Sequence, residues 1–253
     1  PAILERVQRI LPDRADAHTP YGATEALPVS SITAREVLNE TASLARAGKG
    51  TCVGKALPGI TLRVIRIADD AMSSWDDRLV LPRGEIGEIV VKGLVVTRAY
   101  FKREQATALA KIPDGQSWWH RMGDVGYLDE RDRLWFCGRK ADRVRTAQGT
   151  LFTVPCEAIF NQHPDVFRSA LVGIGPAGRQ RPVIVIEPHP DKFPATPNAT
   201  ARFTDELLRL GAASPLTAGI AAVLFHRAFP VDVRHNVKIS RDKLAIWATT
   251  QLP

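Results

Sequence analysis

Ile3, Leu4, Val7, Ile10 and Leu11 recur at the three-to-four-residue interval of a helix, so the chain opens on an amphipathic helical segment. Pro20 and the Tyr21-Gly22 pair end that element, and the pattern predicts a loop carrying Tyr21, Thr24 and Glu25. From Thr51 the period shortens to two. TCVGKALPGITLRVIRI, GEIGEIVVKG and RLWFCGR read as short strands broken by Gly and Pro, and together they predict a β-rich subdomain. Beyond Arg139 the character changes again: Leu151 to Val154 reads as a short strand and Cys156 to Gln162 as a helix that stops at His163-Pro164. SALVGIG and RPVIVIEP then read as strands, while TDELLRLGA and SPLTAGIAAVLFHRA carry helical periodicity. Strands interleaved with helices over about 110 residues predict a compact α/β unit, and the whole chain a mixed α/β fold with a boundary at 139/140.

The chemistry concentrates between Trp118 and Glu157, in WWHRMGDVGYLDERDRLWFCGRKADRVRTAQGTLFTVPCE. Asp124 follows a glycine, and an ionised carboxylate on such a turn has two acceptor oxygens, suited to the paired hydroxyls of a ribose. Arg139 also follows a glycine, where its guanidinium suits a ribose or phosphate oxygen. Taken singly, Gly-Asp and Gly-Arg are equally well read as surface turns of a β-meander.

The full pattern resembles the adenylate-forming superfamily of acyl-CoA synthetases, peptide-synthetase adenylation domains and luciferases. The matching residues are Trp119 to Gly126, Gly138-Arg139, and Arg145 to Glu157. Tyr21, Gly22, Thr24 and Glu25 fall in the Y-G-x-T-E segment, which in the family meets the nucleotide. There the resemblance implies adenine stacking for Tyr21, a phosphate contact for Thr24 and a magnesium ligand in Glu25. Asp124 and Arg139 are implied at the ribose. Lys238, with Ile239 and Arg241, matches the lysine segment near the carboxy terminus, which implies a catalytic ammonium during adenylation. GEIGEIVVKGLVVTRAYFKREQAT resembles a further segment, with Ala99 where glycine usually precedes Tyr100; that tyrosine is read as a packing residue. On this resemblance residues 1–139 are the carboxy-terminal part of the large adenylating domain and 140–253 a small mobile cap domain, and the chain, which opens at Pro1, reads as the carboxy-terminal half of an enzyme.

Three departures narrow the family. Asn236-Val237 replace Ser-Gly before the lysine, inside PVDVRHNVKISR, and with YGATEALPV and GTCVGKALPG this looks like the OleC-type β-lactone synthetases of bacterial olefin biosynthesis. Ala141, followed by Asp142, stands at the family's hinge. The Ser/Thr/Gly-rich phosphate loop is not among these residues, and AGKGT at 47–51 is no substitute because no glycine stands five residues before Gly48. The resemblance implies ATP and Mg²⁺, a long-chain 3-hydroxy (2-alkyl-3-hydroxy) fatty acid substrate, and other olefin-pathway enzymes such as a β-lactone decarboxylase as partners; the fragment alone is expected to be inactive. An acyl-CoA or acyl-AMP ligase is the alternative, and a non-catalytic interaction module a second.

Composition adds exclusions. The formal charge of +7 is spread along the chain without a basic run interleaved with aromatics, which argues against nucleic acid. Three cysteines without CxxC spacing argue against a disulfide framework or zinc site and fit a reduced, cytoplasmic setting. No apolar run approaches the roughly 20 residues of a membrane span. The acidic stretch with Asp69, Asp70, Asp76 and Asp77 lacks the glycine and terminal glutamate of a calcium loop and reads as a solvated connection.

Overall fold

The computed structural model describes all residues except Val233, Arg234 and Pro253, and leaves aside the side chains of Ala2, His235, Asn236 and Val237. The chain forms two compact units, one of Pro1–Ala45 with Lys49–Lys140 and one of Arg46–Gly48 with Ala141–Pro253.

The first unit begins with the helix Ala2–Ile10, in which Leu4 and Val7 are half-buried and Ile3 and Ile10 exposed. Its sheet is built from β1 (His18–Ala23), β2 (Ala26–Thr33), β3 (Thr51–Ala56), β4 (Ile60–Ile65), β5 (Gly87–Gly93), β6 (Lys111–Asp114), β7 (Ser117–Leu128) and β8 (Leu134–Arg139). The order is β1-β2-β3-β8-β7-β5-β4, every pairing antiparallel, with β6 attached to β7. The twelve-residue β7 is long enough to hold β5 along one edge and both β6 and β8 along the other. In its neighbour β5 the run Ile89-Val90-Val91 is fully buried, as expected of a strand covered on both faces. Ile89 and Val91 pack with Leu62, Met122 and Leu134, while Val90 turns to Ile65, Ile112 and Trp119.

One correction falls here. Tyr21 lies on a strand rather than in a loop: β1 and β2 form a hairpin whose tip is Thr24-Glu25. After the hairpin, Thr33 opens a helical stretch through a reciprocal capping box with Glu36. In the acidic connection, Asp76 accepts from the Arg78 amide at 2.9 Å and Trp75 Nε1 donates to Asp77 at 2.8 Å, local bonds of an exposed loop.

The second unit holds β9 (Val144–Thr146), β10 (Gly149–Leu151), β11 (Val166–Ile174), β12 (Arg181–Pro188), β13 (Ala222–Phe225), β14 (Val231–Asp232) and β15 (His235–Ile239). Its central sheet runs β11-β12-β13, with β12 and β13 parallel. Alternation along β11 and β12 sends Leu171, Ile184 and Ile186 to Phe160, Phe203 and Leu207, and sends Ala170, Val172, Val183 and Val185 to Leu244 and Ala248. Helices thus cover both faces, which makes this unit a three-layer α/β arrangement.

Two sequence expectations fail in this unit. Residues 214–228 are not helical but a turn followed by β13. A short apolar run such as AAVLF fits either period, and the parallel partner β12 decides it. The helix at 153–160 also starts at Thr153, so the expected strand at Leu151 to Val154 is confined to β10. Cys52, Cys137 and Cys156 are all buried, and none is in a disulfide. Among the described residues no helix is long and apolar enough to cross a membrane.

Candidate functional site

The site is built where β1, β7 and β8 meet. Gly123 adopts φ +68°, a left-handed conformation that glycine enters at little cost, and sits in the irregular stretch of β7 between its pairings to Val90 and Glu88. Asp124 follows it, directly across the ladder from Arg139 on β8. Arg139 Nη1 donates to Asp124 Oδ1 at 2.8 Å, and the Tyr21 hydroxyl donates to Oδ2 at 2.7 Å. Burial, then the charge of Asp124, pushes the Tyr21 hydroxyl well above its ordinary value, so it remains a donor. The Asp124 side chain is 7% exposed and that of Arg139 47%. Both Asp124 oxygens are thus already in use by the protein, a feature that the expectation of a carboxylate open to a diol did not include.

Gly22 explains how the hairpin stays closed. A Cβ there would lie 2.5 Å from the Ala26 carbonyl oxygen and 2.7 Å from Leu27 Cδ1, so the two strands approach as only glycine allows. At the tip Thr24 is exposed and Glu25 half-buried. The Tyr100 hydroxyl donates to Glu25 Oε1 at 2.8 Å, and the Thr97 amide donates to the Glu25 carbonyl at 2.8 Å. Burial raises the Glu25 carboxyl, but the Tyr100 bond, its own amide and nearby cationic side chains outweigh it and hold the group below the usual carboxylate range. Burial, reinforced by Glu25, lifts the Tyr100 hydroxyl to about 12. Tyr100 therefore does more than pack.

Two buried bases stand behind Glu25 and were not singled out from sequence. Lys111, a cross-strand neighbour of His120, donates to Thr97 Oγ1 at 3.3 Å and is lowered by burial to about 8, with Glu25 opposing the shift. His120 Nδ1 donates to the Ala110 carbonyl at 3.2 Å, and burial lowers the ring to about 4. Glu25, Tyr100, His120, Met122 and Arg139 share the wall of one cleft of about 330 Å³. Another part of that wall is a closed ion cluster. Arg121 grips Glu88 with two bonds of 3.0 and 2.8 Å, Lys140 reaches the same carboxylate at 2.9 Å, and Arg121 also donates to backbone carbonyls of Ala68, Asp70 and Leu109.

The first unit thus brings Tyr21, Gly22, Glu25, Asp124 and Arg139 to one end of its sheet, with Thr24 at the hairpin tip. Lys238 belongs to the second unit, on β15, with an exposed side chain. The side chains of Asn236 and Val237, on which the sequence departure rests, lie outside the described residues.

No protein-family model matches the chain. Across 99% of its length, in an alignment 256 positions long, it is 49% identical to an olefin beta-lactone synthetase of Xanthomonas campestris pv. campestris, covering 45% of that protein. It is 46% identical over its whole length to an olefin beta-lactone synthetase of Stenotrophomonas maltophilia, covering 46% of that protein. The chain belongs to the adenylate-forming superfamily. It spans a little under half the length of these curated relatives. A solved member with ATP and magnesium bound, the O-succinylbenzoate coenzyme A synthetase of Bacillus subtilis, shares the superfamily fold at a TM-score of 0.68 over 96% of this chain and 43% of its own, with 20% identity.

Proposed function

We propose that the protein carrying this chain converts a long-chain 3-hydroxy (2-alkyl-3-hydroxy) fatty acid to a β-lactone at the expense of ATP. The observation that carries this reading is the likeness, along the whole of this chain, to two olefin beta-lactone synthetases. In the first step the substrate carboxylate attacks the α-phosphorus of ATP and pyrophosphate leaves, giving an acyl-adenylate. The substrate's own 3-hydroxyl then attacks the activated carbonyl, loses its proton and expels AMP. The nucleophile is already tethered, which substitutes for a bound second substrate, and the good leaving group offsets the strain of a four-membered ring.

In this reading Tyr21 stacks on adenine while its hydroxyl holds Asp124. Asp124 and Arg139 take the ribose, Gly22 keeps the hairpin closed beside the nucleotide, and Thr24 bonds a phosphate oxygen. Glu25 suits a magnesium ion that arrives with the triphosphate, because Mg²⁺ is held by one or two carboxylates together with phosphate oxygens and water. The ionised state of Glu25, maintained by Tyr100, fits that role. Such an ion would neutralise charge on the departing pyrophosphate. Lys238 stabilises negative charge on the reacting carboxylate and α-phosphate. Residues 1–139 are read as the carboxy-terminal part of the large adenylating domain and 140–253 as its mobile cap. The 253 residues alone are expected to lack turnover, because they do not include a phosphate loop.

The test is the full reading frame incubated with Mg-ATP and a long-chain 3-hydroxy acid, with and without CoA, followed by mass spectrometry. A dehydrated lactone with AMP in the absence of CoA is the expected result. A CoA thioester would assign the protein to the acyl-CoA ligases instead, and no AMP under either condition would leave an interaction module. Co-purification of the full protein with the other olefin-pathway enzymes, a β-lactone decarboxylase among them, would test the partners that the resemblance implies.

A further inference from the structure

We infer that Arg241 is a positioning residue for Lys238, acting through a buried ionic joint with Glu157 and Asp142. The inference rests on the catalytic reading of Lys238. Within the second unit, Lys238 is exposed on β15, and the residue after it is tied down. Ile239 pairs with Val231 of β14, packs against the core of Val172, Val185 and Leu244, and is followed by Ser240, whose amide donates to the Pro230 carbonyl at 2.8 Å. Arg241 then opens the helix Arg241–Gln251. A cation at this end of a helix meets the positive pole of the macrodipole, so its placement needs compensation from elsewhere.

Glu157 supplies that compensation. Arg241 Nε and Nη2 lie 3.0 and 2.9 Å from Glu157 Oε1, Nη2 also lies 2.8 Å from Oε2, and Nη1 is 3.4 Å from Asp142 Oδ2. The Leu171 amide donates to Glu157 Oε1 at 2.9 Å, and the Arg241 and Glu157 side chains are 16% and 9% exposed. The guanidinium and the Glu157 carboxylate it grips thereby link four segments: the residue after Ala141, the helix Thr153–Phe160, β11 through the Leu171 amide, and the start of the last helix. A planar fork holds this geometry, whereas a lysine in its place would offer a single point of charge. The core contact of Ile239 and this joint hold the chain on the carboxy-terminal side of Lys238, which fixes the backbone from which its ammonium is presented.

The decisive experiment is a double-mutant cycle in the full-reading-frame protein, with Lys238→Ala, Arg241→Lys and the double variant. Adenylation is followed as pyrophosphate release from Mg-ATP and a long-chain 3-hydroxy acid, and folding by thermal melting. Arg241→Lys is expected to lower kcat about tenfold with KM for ATP within about twofold, and the double variant to be no slower than Lys238→Ala alone to within about twofold. Multiplied losses in the double variant, or an unchanged kcat in Arg241→Lys, would overturn the inference while leaving the catalytic lysine standing. An unchanged kcat in Lys238→Ala would overturn the catalytic reading itself, and this inference with it. If Arg241→Lys does not fold, Glu157→Gln, which keeps volume and one acceptor, takes its place in the same cycle under the same criteria.

Discussion

Neighbouring strands of the first sheet hold two arginine–carboxylate pairs that are alike in chemistry and differ in what they leave exposed. Arg121 and Glu88 are closed, with side chains 2% and 0% exposed, and the guanidinium is spent on the carboxylate and on backbone carbonyls. Arg139 and Asp124 are asymmetric: the carboxylate is buried while nearly half of the arginine side chain faces solvent. A closed pair holds strands together and recognises nothing. An asymmetric pair fixes a charge at one end and presents donors at the other, which is the arrangement a ligand requires. The difference teaches that burial of the cation, rather than the presence of an ion pair, separates scaffold from site.

Breaking the closed pair is the harshest test of this contrast. Arg121→Ala leaves the buried Glu88 with Lys140 as its remaining cation and strips two of its hydrogen bonds, and is expected to cost about 3 kcal/mol of unfolding free energy, read by urea denaturation. His120, adjacent in β7, sharpens the point through pH. Its folded value is lowered from 6.5 to about 4, so the unfolded chain takes up a proton that the folded one refuses as pH falls between those values. Stability should be full above the ordinary histidine value and decline toward pH 4 by about 3 kcal/mol, and His120→Gln should flatten that part of the denaturation profile. Arg139→Ala is expected to cost about 1 kcal/mol of stability, because water replaces the exposed donors, yet to weaken AMP binding about tenfold by calorimetry. Equal stability losses for Arg121→Ala and Arg139→Ala would erase the distinction. The smallest effect is expected from Tyr100→Phe, which removes one hydrogen bond worth about 1 kcal/mol and should weaken Mg-ATP binding severalfold while leaving AMP binding unchanged.

Much of this could be read in the chain before its fold. The glycine before Asp124 and the glycine before Arg139 marked two residues that turn out to be cross-strand neighbours, and the mixed α/β class followed from the change of period near Arg139. The partners could not be read, because they arrive from a distance along the chain: Glu88 for Arg121, Glu25 for Tyr100, Asp142 and Glu157 for Arg241. Local pattern also misjudged 214–228, where the apolar, half-buried strand beside β12 shows no alternation for a period analysis to find.

The three buried cysteines turn the protein into its own clock. Cys52 and Cys137 lie in the first unit and Cys156 in the second, and burial raises the thiols of Cys52 and Cys156, the latter to about 12. A thiolate-seeking reagent therefore finds little to react with until a unit opens. Mapping which cysteine is alkylated first, and how fast, would time the opening of each half of the chain separately, without a label or a single substitution.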